Sequence, residues 1–125
     1  MEVLKYSKVL SGVEYYIAHL NIINSIFDVK LSSKEISVLS SFMSQEESIV
    51  QGDRFNSFIR KRVRVALSLS PGGLGNYLNT MVKKGFLIRN SITGNLTIQK
   101  YLFPSSAGQG YQFKIIHKSN EDGGI

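Results

Sequence analysis

The sequence predicts a mainly helical α+β domain, and three observations support that fold class. Apolar residues recur at helical spacing through most of residues 13–84, which indicates several amphipathic helices. After Gly85 the pattern changes to short alternating runs, which indicates a small antiparallel sheet. The 125 residues, of which 42% are hydrophobic and 19% charged, suit one folded domain rather than two domains or a disordered chain.

The composition also excludes several classes of function. The chain has no cysteine, so disulfides, thiolate zinc sites and cysteine nucleophiles are ruled out. Its two histidines are far apart, no metal-ligand spacing occurs, and no nucleophile has a suitable base nearby. The N-terminus lacks the apolar stretch of a signal peptide, and the most apolar segment, residues 15–27, is too short to span a bilayer. We therefore expect a cytoplasmic protein that is not an enzyme, uses no cofactor or metal, and has no membrane partner.

The first predicted helix covers residues 13–27 and carries an unusually broad apolar face. A face this wide is either buried within its own domain or shared with a second copy of the chain, and the pattern favours a helix that does both. We interpret residues 1–30 as an N-terminal helical extension, and we expect a homodimer contact through residues 13–27.

Two further helices are predicted before the glycine-rich part of the chain. One covers residues 33–44, because Ser32 and Glu35 have the spacing of a capping box. Residues 45–54 have the composition of a polar connection. A third helix is predicted over residues 54–67, although the alternating run near its end would also suit a half-buried strand.

The fourth predicted helix has the clearest boundaries. Ser70 is a good N-cap residue, Pro71 suits the first helical position, and Gly85 is a typical terminator. These residues predict a helix over residues 71–84, joined to the preceding helix by a very short turn. One side of it carries apolar side chains, and the other carries small residues, amides and a lysine.

Three strands are predicted after this helix. Residues 86–90 and 96–103 flank a turn-like stretch, and residues 111–117 form a third alternating run. Between the second and third strands, residues 105–110 have the composition of a flexible connection. Residues 119–125 are expected to form a disordered tail.

The distribution of charge is the strongest functional signal in the sequence. The net charge is +6, from 15 basic and 9 acidic side chains. Residues 54–120 contain 11 of the basic side chains and no acidic one, whereas residues 1–53 are net negative. Such a stretch cannot neutralise itself through internal ion pairs, so it presents a positive field that attracts polyanions. This pattern favours binding to nucleic acid, with an acidic protein partner as the alternative.

The segment ALSLSPGGLGNYLNTMVKKGFLIRN resembles the core of winged helix-turn-helix proteins, such as MarR-type and related bacterial or phage regulators. The shared features are a small residue, a Leu-x-Leu-Ser turn, apolar residues four apart, and a basic pair followed by glycine and two apolar residues. These features fall on Ala66, Leu67, Leu69, Ser70, Leu74, Leu78, Lys83, Lys84, Gly85, Phe86 and Leu87. Two features depart from the family: glycines occupy the start of the recognition helix, and two different loops could form the wing.

The resemblance implies a winged helix-turn-helix domain over residues 31–118 with a small antiparallel sheet. It also implies sequence-specific binding to double-stranded DNA by a transcriptional regulator, with residues 71–84 in the major groove. The implied DNA contacts are cations, amides, hydroxyl groups and glycine N–H groups: Arg60, Lys61, Arg62, Arg64, Ser70, Gly72, Gly73, Asn76, Asn79, Thr80, Lys83, Lys84, Arg89 and Lys100.

The roles within this set differ. Asn76, Asn79, Thr80 and Lys83 are expected at base edges or nearby phosphates, and Ser70 with the two glycine N–H groups is expected to hold a phosphate at the helix start. The four cations at 60–64 are expected on phosphates, and Arg89, Lys100 and Lys114 are wing or strand candidates. Two alternatives stay open: a winged-helix module for protein contact in a phage or polymerase assembly, and an RNA-binding domain whose strand aromatics stack on bases.

Overall fold

The computed structural model describes residues 9–105 and Tyr111, and within that part of the chain it contains five α-helices and a two-stranded antiparallel sheet. The mainly helical α+β class is therefore confirmed. In chain order the elements are α1 (Gly12–Asn24), α2 (Ser33–Met43), α3 (Glu47–Val50), α4 (Ser57–Leu67), α5 (Pro71–Lys84), β1 (Leu87–Arg89), β2 (Leu96–Ile98) and a 3₁₀ turn (Lys100–Leu102). No helix in the described residues has both the length and the apolar character needed to cross a membrane.

Helix α2 lies at the centre of the fold, because α1, α4 and α5 all pack against it. The predicted capping box is present: Glu35 N donates to Ser32 Oγ at 3.1 Å, and Ser32 N donates to Glu35 Oε1 at 2.7 Å. Further along, the fully buried ring of Phe42 lies 4.5 Å from the ring of Phe55. Local capping thus fixes where α2 starts, and apolar packing fixes its position in the core.

Helix α1 contributes to the same core. Leu20 is fully buried, and beyond the helix Phe27 contacts Phe86 with their rings 5.6 Å apart. The helix ends at Asn24, earlier than the predicted span of 13–27, because the three N–H groups after it donate to carbonyls three positions back instead of four. Lys30 Nζ donates to the carbonyl of Asn24 at 3.1 Å and to two carbonyls just after it.

His19 connects α1 to the C-terminal part of the described chain. Its Nε2 donates to the Leu102 carbonyl at 2.8 Å, and its Nδ1 accepts a hydrogen bond from the Tyr111 hydroxyl. A carbonyl oxygen can only accept, so the neutral ring carries its proton on Nε2. Burial lowers the pKa of His19, and the Leu102 carbonyl opposes that shift.

Between α2 and α4 one prediction is wrong, and one helix that was predicted begins later than expected. Residues 45–54 contain helix α3 rather than a connection alone, and the helix predicted over 54–67 begins at Ser57. The reason is Asn56, which is the N-cap of α4: its Oδ1 accepts from Ile59 N at 2.9 Å. Its Nδ2 donates to carbonyls of α3, which holds the two helices together. The alternating run near the end of α4 is helical, so the strand alternative is also wrong.

Helix α5 spans residues 71–84 as predicted, and both of its ends are capped by the expected residues. Ser70 Oγ accepts from Gly73 N at 2.9 Å, and Gly85 ends the helix with a φ of +88° in the left-handed region. In the short turn before α5, Ser68 also has a positive φ of 55°, and Leu69 N donates back to α4.

After α5, the chain forms a β-hairpin. Strands β1 and β2 pair antiparallel, with Leu87 opposite Ile98 and Arg89 opposite Leu96. The strand predicted over residues 96–103 is too long, because the chain turns into the 3₁₀ segment that buries Leu102. The predicted strand at 111–117, the connection at 105–110 and the tail at 119–125 lie outside the described residues, apart from Ser105 and Tyr111.

Candidate functional site

The exposed side of α5 consists of small and polar residues, which we call the α5 stripe. Leu74, Leu78 and Met81 point into the core and are at most 2% exposed. The residues on the opposite side recur at helical spacing, so they form one line along the helix. The α5 stripe consists of Gly72, Asn76, Asn79, Thr80 and Lys83, all of which are exposed.

Strand β1 brings a cation to this stripe. Arg89 Nη2 donates to Asn79 Oδ1 at 2.7 Å, and both side chains are exposed. Asn79 makes no further side-chain hydrogen bond within the described residues, so its amide N–H groups can donate to a ligand. Thr80 Oγ1 donates to the carbonyl of Asn76 at 2.9 Å, which leaves its oxygen as an acceptor. The arrangement therefore offers amide donors, a hydroxyl acceptor and a guanidinium on one surface.

The start of α5 offers less than its sequence suggests. The Gly73 N–H already donates to Ser70 Oγ, so it is not available to a phosphate. The Gly72 N–H and the Ser70 hydroxyl proton remain as donors there. A Cβ at position 73 would lie 3.1 Å from Ser70 Oγ, so glycine at this position also serves the cap.

The four cations of α4 do not share one face. Lys61 and Arg62 are exposed, whereas Arg60 and Arg64 are half-buried. Arg60 Nε donates to the Phe55 carbonyl at 2.6 Å, which ties this side chain to the residue before the N-cap of its own helix. The predicted group at 60–64 therefore divides into an exposed pair and a half-buried pair.

Lys84 has a role in the fold. Its Nζ lies 2.6 Å from Glu35 Oε1 and donates to the Lys30 carbonyl at 3.0 Å. Burial by itself would raise the pKa of the Glu35 carboxyl, but the hydrogen bonds from Lys84 and Ser32 outweigh it and hold that pKa below its usual value. Contact between Lys84 and a phosphate would compete with this ion pair, so the structure separates Lys84 from the exposed Lys83.

The remaining cations lie apart from the α5 stripe. Lys100 is exposed in the 3₁₀ turn, next to Ile88 and Thr97 of the hairpin. Lys114 lies outside the described residues. Arg54, which the sequence did not single out, is bound by the fold: it donates to three carbonyls near the end of α2 and pairs with Glu47 at 2.6 Å.

Sequence reasoning also missed an exposed apolar surface on α4. Phe58 is 58% exposed and Val65 is 70% exposed. The guanidinium of Arg62 lies 5.7 Å from the centre of the Phe58 ring, within the range of a cation–π contact. We call this surface, with Lys61 and Ala66, the α4 patch. Its sequence signal is the spacing of residues 58, 61, 62 and 65, which places them on one side of a helix.

Comparison of the chain with protein-family models, with curated proteins and with solved structures gave no match. Its function is therefore argued from its own residues. Two surfaces carry that argument: the α5 stripe with Arg89, and the α4 patch.

Proposed function

We propose that this chain is a winged helix-turn-helix protein that binds double-stranded DNA sequence-specifically and acts as a transcriptional regulator. In this proposal α4 and α5 form the helix-turn-helix, α5 enters the major groove, and the β1–β2 hairpin is the wing. The observation that carries the proposal is the α5 stripe, with Arg89 held against Asn79 at 2.7 Å. Asparagine amides can pair with adenine edges, and lysine or arginine can bind guanine edges or phosphates.

The glycines of α5 support close approach of a large ligand. A Cβ at Gly72 or Gly75 would meet no atom of the described chain within 4 Å, so internal packing does not require glycine at either position. Each glycine costs a helix about 1 kcal/mol relative to alanine. A cost without an internal benefit is explained if another molecule must approach the helix backbone closely, as a DNA strand does in a groove.

The positive charge supports the same partner. Lys83 and Arg89 are exposed at the α5 stripe, and Lys61 and Arg62 add to the field from α4. The positive end of the α5 dipole lies at Gly72, where an N–H group is available to an anion. The proposed wing turn at 91–95 carries no charged side chain, so it would contact DNA through amides, hydroxyl groups and backbone.

The proposal includes a homodimer, with the second copy bound along the outer side of α1. Val13 is 38% exposed on α1, and Ile26 is 65% exposed just after it. A dimer would place two copies of α5 on two half-sites, as in many regulators of this kind. Light scattering at high protein concentration measures the mass directly, and a monomer would remove this part of the proposal.

The decisive experiment compares two single-charge variants in a DNA-binding titration. Fluorescence anisotropy with a random duplex pool, at several salt concentrations, should give a slope of log affinity against log salt of about −5 for roughly six phosphate contacts. Lys83→Gln should weaken binding to all sequences and reduce the slope by about 1. The matched control is Lys34→Gln, which removes one charge from the first turn of α2 and should change affinity little.

Sequence preference requires a second comparison on the duplexes that the pool enriches. Asn76→Ala should cost about 1–3 kcal/mol on the preferred duplex and should relax the preference at one or two base pairs. Equal losses of DNA affinity in Lys83→Gln and Lys34→Gln would show that the α5 stripe is not the interface. No binding by the wild-type protein at low salt would reject the DNA function and leave a protein partner for the basic surface.

A further inference from the structure

Helix α4 has an apolar side that no described element covers. Phe58 and Val65 are 58% and 70% exposed, and they line an open groove of about 470 Å³ with Ala66 and the side chains of Lys61 and Arg62. These five residues are spaced so that they form one stripe along two turns of the helix. The surface is therefore one exposed helix face about two turns long, against which another helix can pack.

Within the described residues, α4 packs onto the core through its other side. Ile59 is fully buried and Val63 is 1% exposed, so the opposite side of the helix supplies the packing onto α2. Exposure of a phenylalanine ring and a valine side chain to water does not stabilise the fold. Such a pair is typical of the apolar centre of a protein–protein contact, in which aromatic and arginine side chains contribute most of the binding energy.

The charge of the patch specifies the partner. Lys61 and Arg62 flank the apolar groove, and α4 contains no acidic residue. The Arg62 guanidinium lies over the Phe58 ring, 5.7 Å from its centre, so a partner at this surface would contact the cation and the ring together. A partner with carboxylates at the edge of the contact would pair with these two cations, whereas a basic partner would be repelled by them.

We propose that the α4 patch is a docking site for an amphipathic helix of another protein, whose apolar stripe is flanked by aspartate or glutamate. The apolar stripe covers Phe58 and Val65, and the carboxylates pair with Lys61 and Arg62. This mode is the helix-in-groove recognition that uses anchors one and two turns apart. The proposal does not depend on DNA binding, because its apolar anchors, Phe58 and Val65, lie outside the α5 stripe. The two cations of the patch are shared, since they also add to the positive field of the DNA proposal.

Two other occupants fit less well. A second copy of this chain, docked symmetrically through the same patch, would place Lys61 and Arg62 against the same cations of the partner, which is repulsive. A DNA strand would satisfy the charges but has no continuous apolar surface to cover both Phe58 and Val65. An acidic amphipathic helix is the partner chemistry that satisfies both parts of the patch.

The test uses a synthetic, fluorescein-labelled peptide of about four helical turns, with leucines on one face and glutamates on both sides of them. One control peptide has the same composition in scrambled order. The other has the same pattern with lysine in place of glutamate. Anisotropy titrations at about 50 and 200 mM NaCl should show binding of the patterned acidic peptide that exceeds the scrambled one about tenfold at both salts. The lysine peptide should not bind.

Variants then locate the contact. Val65→Glu should weaken binding of the patterned peptide about tenfold or more, since it places a like charge in the groove. Phe58→Ser should do the same by removing the anchor, and it gives a second test if the first variant folds poorly. The matched control is Ile92→Glu, which makes the same kind of change at a hairpin residue that is 93% exposed. Circular dichroism melts check that each variant is folded.

The possible results separate this proposal from the DNA proposal. Loss of peptide binding in Val65→Glu but not in Ile92→Glu or Lys83→Gln would establish the α4 patch. Equal binding of the patterned and scrambled peptides would overturn the proposal, because only general charge attraction would remain. Equal effects of Val65→Glu and Ile92→Glu would overturn it as well, and a light-scattering dimer abolished by Val65→Glu would replace the proposed partner with a second copy.

Discussion

The ion pair between Lys84 and Glu35 leads to a stability prediction that distinguishes the two lysines at the end of α5. Glu35 is 2% exposed, and its Oε1 accepts from Lys84 Nζ at 2.6 Å and from Ser32 N at 2.7 Å. Lys84→Met keeps most of the side-chain length but removes the ammonium group. The buried carboxylate would then retain the N–H of Ser32 as its donor. Lys83→Met is the matched control, because Lys83 is exposed.

The magnitude follows from how deeply the pair is buried. Removing one member of a fully buried pair costs about 3–5 kcal/mol. The Lys84 side chain is 28% exposed, so water can reach part of the space that the ammonium leaves. We therefore expect Lys84→Met to lower the free energy of unfolding by about 2 kcal/mol and the melting temperature by about 8 °C. Lys83→Met should change the free energy by less than about 0.5 kcal/mol.

The pH dependence identifies the carboxyl group as the cause. The pKa of Glu35 is lowered from its ordinary value of 4.5, so in the wild type its contribution is present above that value and is lost as the pH falls through the folded-state pKa. Without Lys84, burial would raise the pKa of Glu35, and the carboxyl would become neutral at mildly acid pH. Urea unfolding followed by circular dichroism should therefore show a smaller difference between Lys84→Met and wild type at about pH 4 than at pH 7.

A double variant tests whether the unpaired carboxylate of Glu35 causes the loss of stability in Lys84→Met. Glu35→Gln combined with Lys84→Met removes the charge, while glutamine can still accept from Ser32 N as the third residue of a capping box. It should recover part of the stability lost in Lys84→Met. The reasoning is refuted if Lys84→Met loses no more stability than Lys83→Met. It is also refuted if the stability losses of Glu35→Gln and Lys84→Met, measured singly, simply add in the double variant.

Two further predictions concern stability. Burial lowers the pKa of His19 below its usual 6.5, so the unfolded chain binds the proton more readily than the folded one. The free energy of unfolding should therefore fall as the pH drops below about 6.5 and should level off below the folded-state pKa. His19→Gln should remove that dependence in urea unfolding between about pH 7 and pH 5, and parallel pH profiles for the two proteins would contradict this account. Gly85→Ala should cost about 1 kcal/mol because position 85 has a φ of +88°, whereas Gly75→Ala should stabilise the helix by about 0.5–1 kcal/mol because a Cβ there meets open space. Thermal melts of the two glycine variants should therefore shift in opposite directions, and shifts of the same sign would show that the backbone argument fails.

The parts of the fold that were predicted from the sequence depend on local chemistry. Ser70, Pro71 and Gly85 fix both ends of α5 through caps that involve near neighbours in sequence. The capping box of α2 is equally local. One inaccurate prediction concerns a segment fixed from a distance: strand β2 is short, and the chain beyond it buries Leu102 and offers its carbonyl to His19. The start of α4 was misplaced although its cap is local, because the Asn56 side chain was not recognised as an N-cap.

The candidate site shows the same division. Helical spacing alone was enough to predict which side of α5 is exposed. It could not predict that Lys84 pairs with Glu35, since these residues are 49 positions apart in the chain. The exposure of Phe58 and Val65 was also beyond sequence reasoning, because an apolar residue on a helix is ordinarily assigned to the core until the packing of its neighbours is known.

The hydrogen bonds of His19 also bear on how the chain folds during synthesis. His19 is in the first helix, yet its partners Leu102 and Tyr111 are 83 and 92 residues further along. On a ribosome, α1 is made before these partners, so its buried imidazole must wait for 92 further residues before it can bond to both of them. Helix α1 is therefore among the last elements to reach its final environment, since it cannot do so before Leu102 and Tyr111 have been made.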